Sequence, residues 1–353
     1  MFTCKPDYEQ AQKRMDAFWQ HAETDRPAVL MTFPKPQVKP VAKKNHATYK
    51  DYWLDIEYRA EEMSRWAESA VFFAEAMPVC MPNLGPGILS AWAGCNCDYG
   101  PETVWTSPCV SDWEGDRAVI DTNHPLFSIM DRFTRLLTEK AKGRFIVGLT
   151  DFHPGGDHLS AIRGVENLAV DLLEYPDIIK AKLASSYKEY FPVFDYFTDL
   201  IKSAGMPLST WLPLTSEEGM YVPSNDFSYM ISTEMFNEFF LQGIIEECRH
   251  YKRSIYHVDG VGSLRHLDAL LEIPELNAIQ WVPGAGKEWV YPWFDLFKKI
   301  LAAGKSIIVY PQNIGELRFI AENLPARGVC IQMWNVSNES EALDIMNIIE
   351  RKK

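Results

Sequence analysis

The chain has 353 residues, 47% of them hydrophobic and 24% charged, a globular composition with room for one large α/β barrel or two average domains. Its net charge of −13 argues against the basic patch that a nucleic-acid or anionic-membrane surface needs, and no run approaches the roughly 18 apolar residues of a membrane span. Residues 1–9 mix Lys5, Asp7 and Glu9 with no apolar core, so no signal peptide is expected and the cytoplasm is the expected compartment.

Residues 7–24 have helical spacing and read as an N-terminal helical extension over 1–27. Arg26-Pro27 leads into 28–33, the first candidate strand, and the proline-rich, basic stretch 35–44 reads as a loop. A long amphipathic helix over 49–70 precedes a second strand at 76–82, which breaks at Asn83-Leu84-Gly85-Pro86-Gly87. The aromatic-rich segment from there to residue 123 resists regular assignment, apart from a hairpin between 102–107 and 117–121. A loop of this length serves as a lid or an interface, and its aromatics make a homodimer plausible. Cys95-Asn96-Cys97 is a lone pair and reads as small residues in a compact loop; the odd count of seven cysteines points to reduced thiols.

Strands follow at 144–150, 208–214, 254–260, 277–282, 306–310 and 328–333, with helical patterns between them. Eight strands alternating with helices, and no linker, predict a single-domain (β/α)8 barrel. The site is then expected where strands hand over to loops. Those ends carry Asn83, Asp151, His153, Glu217, His257, Asp259, Gln280, Trp281, Tyr310, Gln312, Gln332 and Trp334. No P-loop, GxGxxG, GxSxG or HExxH motif offers other chemistry.

His257 and Asp259 alternate onto one side of the fifth strand, so both point toward the barrel mouth. Zinc accepts nitrogen, sulfur and carboxylate ligands. His257 and Asp259 are therefore candidate ligands, with Cys330, which shares a face with Gln332, as a third and Glu217, at the end of strand four, as a fourth. Asp151 and His153 are candidates for substrate contact or for capping the Pro154-Gly155-Gly156 loop. Asp226 is placed to organise the turn before the 233–251 helix, and Arg163 either pairs with Asp157 or holds a substrate carboxylate.

Four stretches together resemble the uroporphyrinogen decarboxylase superfamily, which also contains zinc- and corrinoid-dependent methyltransferases. They are Asn83-Leu84-Gly85-Pro86-Gly87, the segment from Asp151 to Arg163-Gly164, residues 231–240, and Ile255-Tyr256-His257-Val258-Asp259-Gly260. The resemblance runs from about Arg26 to the C-terminus. Decarboxylases of that superfamily carry arginines on or just after the first strand, and this chain has none over 28–33. The methyltransferase branch resembles the chain at His257 and Cys330, with Asp259 standing where that branch has a cysteine.

The resemblance therefore implies an oxygen-richer zinc site that moves a methyl group between a small substrate (methoxy-aromatic, methylamine-type or thiol) and a corrinoid on a separate partner protein. Trp281, Tyr310, Trp334 and the tryptophan-rich loop are expected to wall the pocket, and the resemblance implies that the region of Asp226 lines it. A metal-free decarboxylase using Asp151, Arg163 and Tyr310 is the alternative, and a barrel that binds a tetrapyrrole or small aromatic without turnover is the third possibility.

Overall fold

The computed structural model describes residues 2–36, 41–115 and 119–350. Apolar runs rich in β-branched residues, punctuated by glycine and proline turns, give the strands. They are β1 (Ala28–Pro34), β2 (Ala70–Ala74), β3 (Val79–Cys80), β4 (Asn96–Tyr99), β5 (Val104–Ser107), β6 (Ile146–Val147), β7 (Ile255–Asp259), β8 (Ala278–Val282), β9 (Ser306–Val309) and β10 (Val329–Met333). Six form one sheet in the order β2-β1-β10-β9-β8-β7, parallel at every step except between β1 and β2. β3 pairs in parallel with β6, and β4 with β5 as an antiparallel hairpin. With helices packed around the sheet, this is an α/β fold with a central, mostly parallel sheet. β2 and β7 are the two edges of the six-stranded ladder.

Strand alternation divides the core in two. Ala28, Leu30, Ile255, Ala278, Ile308 and Cys330 face one way and meet Phe18 and Trp19 of the N-terminal helix Tyr8–Trp19. Val29, Tyr256, Val258, Ile279, Trp281 and Ile331 face the other and pack under the outer helices. His257 stands two residues after Ile255 and opposite Gln280 in the β7–β8 register, so both belong to the first face. Trp281, expected as a pocket wall, is on the second. It packs edge-on against Trp293 at 5.0 Å, because it is one residue out of phase with Gln280.

Other expectations are corrected. The expected strand at 208–214 is reduced to a bridge between Leu208 and Ser216, since Pro207 and Pro213 have no N–H for a ladder. The chain beside β7 is 221–224, with parallel bridges Tyr221–Ser254 and Ser224–His257. The helix expected over 49–70 is two helices, Tyr49–Leu54 and Ile56–Ser69, and β2 follows as an unforeseen antiparallel strand. The segment after Asn83 contains a helix, Ile88–Trp92, and β5 pairs with β4, not with 117–121. Residues 117 and 118 of that expected arm lie outside the described residues. Among the described residues, no helix is long and apolar enough to cross a membrane.

Candidate metal centre and its surroundings

Asp226, His257 and Asp259 each offer a ligand atom, and these atoms lie within 4.8 Å of one another. His257 and Asp259 come from the end of β7, as their spacing predicts. Asp226 opens the short helix Asp226–Met230 directly after the 221–224 segment, whose bridges to β7 carry it to His257. The sequence reading missed this partnership because it placed the fourth strand about a dozen residues too early.

The imidazole is held in one tautomer. Gln280 Nε2 donates to the Tyr310 hydroxyl at 2.6 Å, which turns Oε1 toward His257 Nδ1 at 2.8 Å. Nδ1 therefore carries the proton, and Nε2 keeps its lone pair. Burial lowers the His257 pKa, with Gln280 and Asp259 opposing, and this favours the neutral ligand form. The Trp211 ring meets the imidazole edge-on at 5.5 Å.

A second chain of polar groups stands beside this one. The His153 imidazole pairs through Nε2 with Asp151 at 2.9 Å and through Nδ1 with Ser224 Oγ at 2.8 Å. Ser224 donates to Asp157 at 2.9 Å, and Asp157 also accepts the Phe227 N–H at 3.1 Å. Burial opposes a charge on His153, but the Asp151, Asp157 and Asp226 carboxylates outweigh it and raise its pKa to about 9. A protonated ring donates at both nitrogens, which is what this network accepts. Burial, then repulsion from Asp157, pushes the Asp226 carboxyl up to about 7, with His153 opposing. Asp226 does reach solvent, which tempers the burial contribution, but Asp157, Asp259 and Asp151 all act in the same upward direction.

A cavity of about 450 Å³ opens beside the cluster, lined by Leu89, Trp105, Thr106, His153, Asp157 and Asp226 among others, with no lysine or arginine among its lining residues. A larger one, about 940 Å³, lies between 41–62 and the hairpin tip and contains none of these groups. Tyr310, Trp334 and Trp289 form an aromatic trio with ring centroids 4.9–5.6 Å apart, and none of the three lines that 450 Å³ cavity.

The remaining candidates lie elsewhere. Cys330 is fully enclosed on β10, where burial and the Glu75 charge push its thiol up, and it is not in the three-residue group. It sits level with Gln280 through Ile308, but Ile308 and β9 separate them. Glu217 accepts the Tyr8 hydroxyl at 2.6 Å. It precedes the 221–224 segment, so it sits toward the N-terminal helix while Asp226 lies beyond that segment's other end. Arg163 is committed to Asp171 through two contacts, 2.6 and 3.2 Å, and to the Ser111 and Val110 carbonyls, so it pairs neither with Asp157 nor with the cavity. Asn83 accepts the Gly85 N–H at 2.6 Å and shapes its own turn. Gln332 Oε1 is buried without a hydrogen-bond partner.

The architecture thus defines an α/β protein whose candidate centre joins one imidazole and two carboxylates at the end of parallel strand β7. In fold it is similar to a methyltransferase from Methanosarcina mazei, with a TM-score of 0.58 over 99% of each chain at 12% sequence identity. No family model and no curated protein matches the chain.

Proposed function

We propose that the protein is a zinc-dependent methyltransferase, related to the uroporphyrinogen decarboxylase superfamily, that exchanges a methyl group between a small substrate and a corrinoid carried by a partner protein in the cytoplasm. The observation that carries this reading is the Asp226–His257–Asp259 group with His257 Nε2 left unprotonated by Gln280. One nitrogen and two carboxylate ligands fit a catalytic zinc, which takes three protein ligands and keeps one position for substrate. Its scaffold in this reading is an eight-stranded barrel. The bond from Leu149 N–H to the Ser209 carbonyl and the bridges of 221–224 to β7 would continue the sheet's circuit through β3 and β6.

Bound there, zinc would supply Lewis acidity toward the heteroatom that bears or receives the methyl group, and the corrinoid cobalt would be the other methyl carrier. The chain's own residues do the rest. Gln280 and Tyr310 orient His257; Asp151 and Ser224 hold His153 protonated at the cavity, where it can give a proton to a departing heteroatom. The Trp289–Tyr310–Trp334 trio supplies an apolar surface. The cavity wall has Asp157 and Asp226 but no lysine or arginine, and its one cation, the His153 imidazolium, is already paired with Asp151, which favours a neutral donor over a carboxylate. The engagement of Arg163 with Asp171 weighs against the decarboxylase alternative.

The test is zinc-loaded protein with reduced cobalamin and a panel of methoxy-aromatic, methylamine and methylthiol donors, followed by the visible spectrum of methylcobalamin. Methyl transfer that His257→Ala abolishes supports the reading; carbon dioxide release from a carboxylated substrate by metal-free protein would replace it.

A further inference from the structure

We propose that Cys95 and Cys109 form an oxidisable dithiol, a reversible disulfide site at the base of the β4–β5 hairpin that takes a hydroperoxide or a small-molecule disulfide as its oxidant. Sequence spacing draws attention to Cys95 and Cys97, but the thiol that meets Cys95 is that of Cys109. The hairpin register joins Asn96 to Ser107, so the residues flanking the two strands converge instead. Cys95 Sγ and Cys109 Sγ lie 2.9 Å apart as free thiols. The backbone under Cys109 is anchored: the Cys109 and Val110 N–H groups both donate to the Ile162 carbonyl at 2.8 Å. To bond, the two sulfurs need to close from 2.9 Å to about 2.05 Å.

The two thiols differ in access. Cys109 is exposed and Cys95 is buried. Burial, then the hydrogen bond with Cys109, pushes the Cys95 thiol up, so Cys109 is the group that meets an oxidant and Cys95 the one that resolves it. With a hydroperoxide, the Cys109 sulfur attacks the O–O bond, becoming a sulfenic acid and releasing water or an alcohol. The Cys95 sulfur then attacks that sulfur, hydroxide leaves with the Cys95 proton as water, and the S–S bond forms. Two electrons pass from the thiols to the peroxide, and a dithiol reductant returns them. With a small disulfide, Cys109 forms the mixed disulfide and Cys95 displaces the second small thiol. Val104, Trp105 and Thr106 of β5 wall the cavity beside His153 and Asp226, so the bridge would tie down one side of that cavity. None of this depends on the methyl-transfer reading.

The experiment is thiol counting and peptide mapping on the full chain before and after graded hydrogen peroxide or glutathione disulfide, with hydrogen–deuterium exchange over 96–107. The expected result is a loss of two of the seven thiols, a Cys95–Cys109 linked peptide, slower exchange in the hairpin and full reversal by dithiothreitol. Cys97→Ser should behave like the parent, and Cys109→Ser should form no link. Seven thiols surviving oxidant, a Cys109 sulfinic acid or persistent mixed disulfide without the link, or a link through Cys97 would each overturn the assignment.

Discussion

His257 and Gln280 face each other across the β7–β8 register, and the Gln280 side-chain oxygen Oε1 stands 2.8 Å from His257 Nδ1. This one contact decides which imidazole nitrogen is available to a metal, because the glutamine's other end is fixed on Tyr310. Removing the acceptor should leave the ligands in place and loosen their orientation. Gln280→Leu is therefore expected to lower zinc affinity about 10–100-fold, the usual cost of losing such a partner, with an unchanged circular dichroism spectrum. Competition against a chromophoric chelator measures it, and an unchanged affinity would remove Gln280 from the account.

Asp151 should control the charge on His153. With the carboxylate present the ring titrates near 9; Asp151→Asn leaves burial, which lowers the pKa, opposed only by the more distant carboxylates. The His153 ring proton followed by NMR should show its midpoint move down in Asp151→Asn. A midpoint that stays put would mean that the pair is not coupled.

The buried Glu247 sets a second pH dependence. It accepts the Tyr187 and Tyr251 hydroxyls, both at 2.9 Å, yet burial still raises its pKa to about 8. The folded state thus keeps a proton that the unfolded chain loses above its ordinary value of 4.5. Stability from this group is greatest at or below that value and falls as pH rises toward 8, with a slope of up to about 1.4 kcal/mol per pH unit. Glu247→Gln should flatten the slope in urea titrations across that window. The same slope in parent and variant would assign it to other groups.

The Arg163–Asp171 clamp is structural. Asp171 also accepts the Trp113 indole N–H at 2.7 Å, so it ties the segment after the hairpin to the helix Val165–Glu174. Asp171→Ala strands a guanidinium and an indole donor and should cost about 3 kcal/mol, read as a lower thermal midpoint. Zinc binding should be untouched, since neither residue belongs to the three-residue group or lines the cavity. Reduced metal content in this variant, with the fold retained, would contradict a purely structural role.

Much of the scaffold was legible because parallel strands buried on both faces leave continuous apolar runs, as over 28–33, 277–282 and 328–333. His257 and Asp259 were legible because strand alternation is local and needs only spacing. Asp226 reads from sequence as a turn organiser or a pocket residue and not as a ligand, since its closeness to His257 depends on which segment flanks β7. Two prolines in an apolar run disguised that, and the true neighbour, 221–224, is too short to stand out. Cys330 misled for a related reason: sharing a sheet face with His257 and Gln280 does not fix distance across the sheet, and β9 lies between β10 and β8. Trp281 misled through phase, because an apolar run gives no alternation to read. Cys109 was invisible as the partner of Cys95 until the hairpin register was known.

The most direct measurement is the zinc content and affinity of purified protein beside Asp226→Asn, His257→Ala and Cys330→Ser. The account predicts about one zinc per chain, sharply weakened by the first two substitutions and retained by the third. Protein that stays metal-free at saturating zinc, or that loses zinc with Cys330 and keeps it without Asp226, would contradict it.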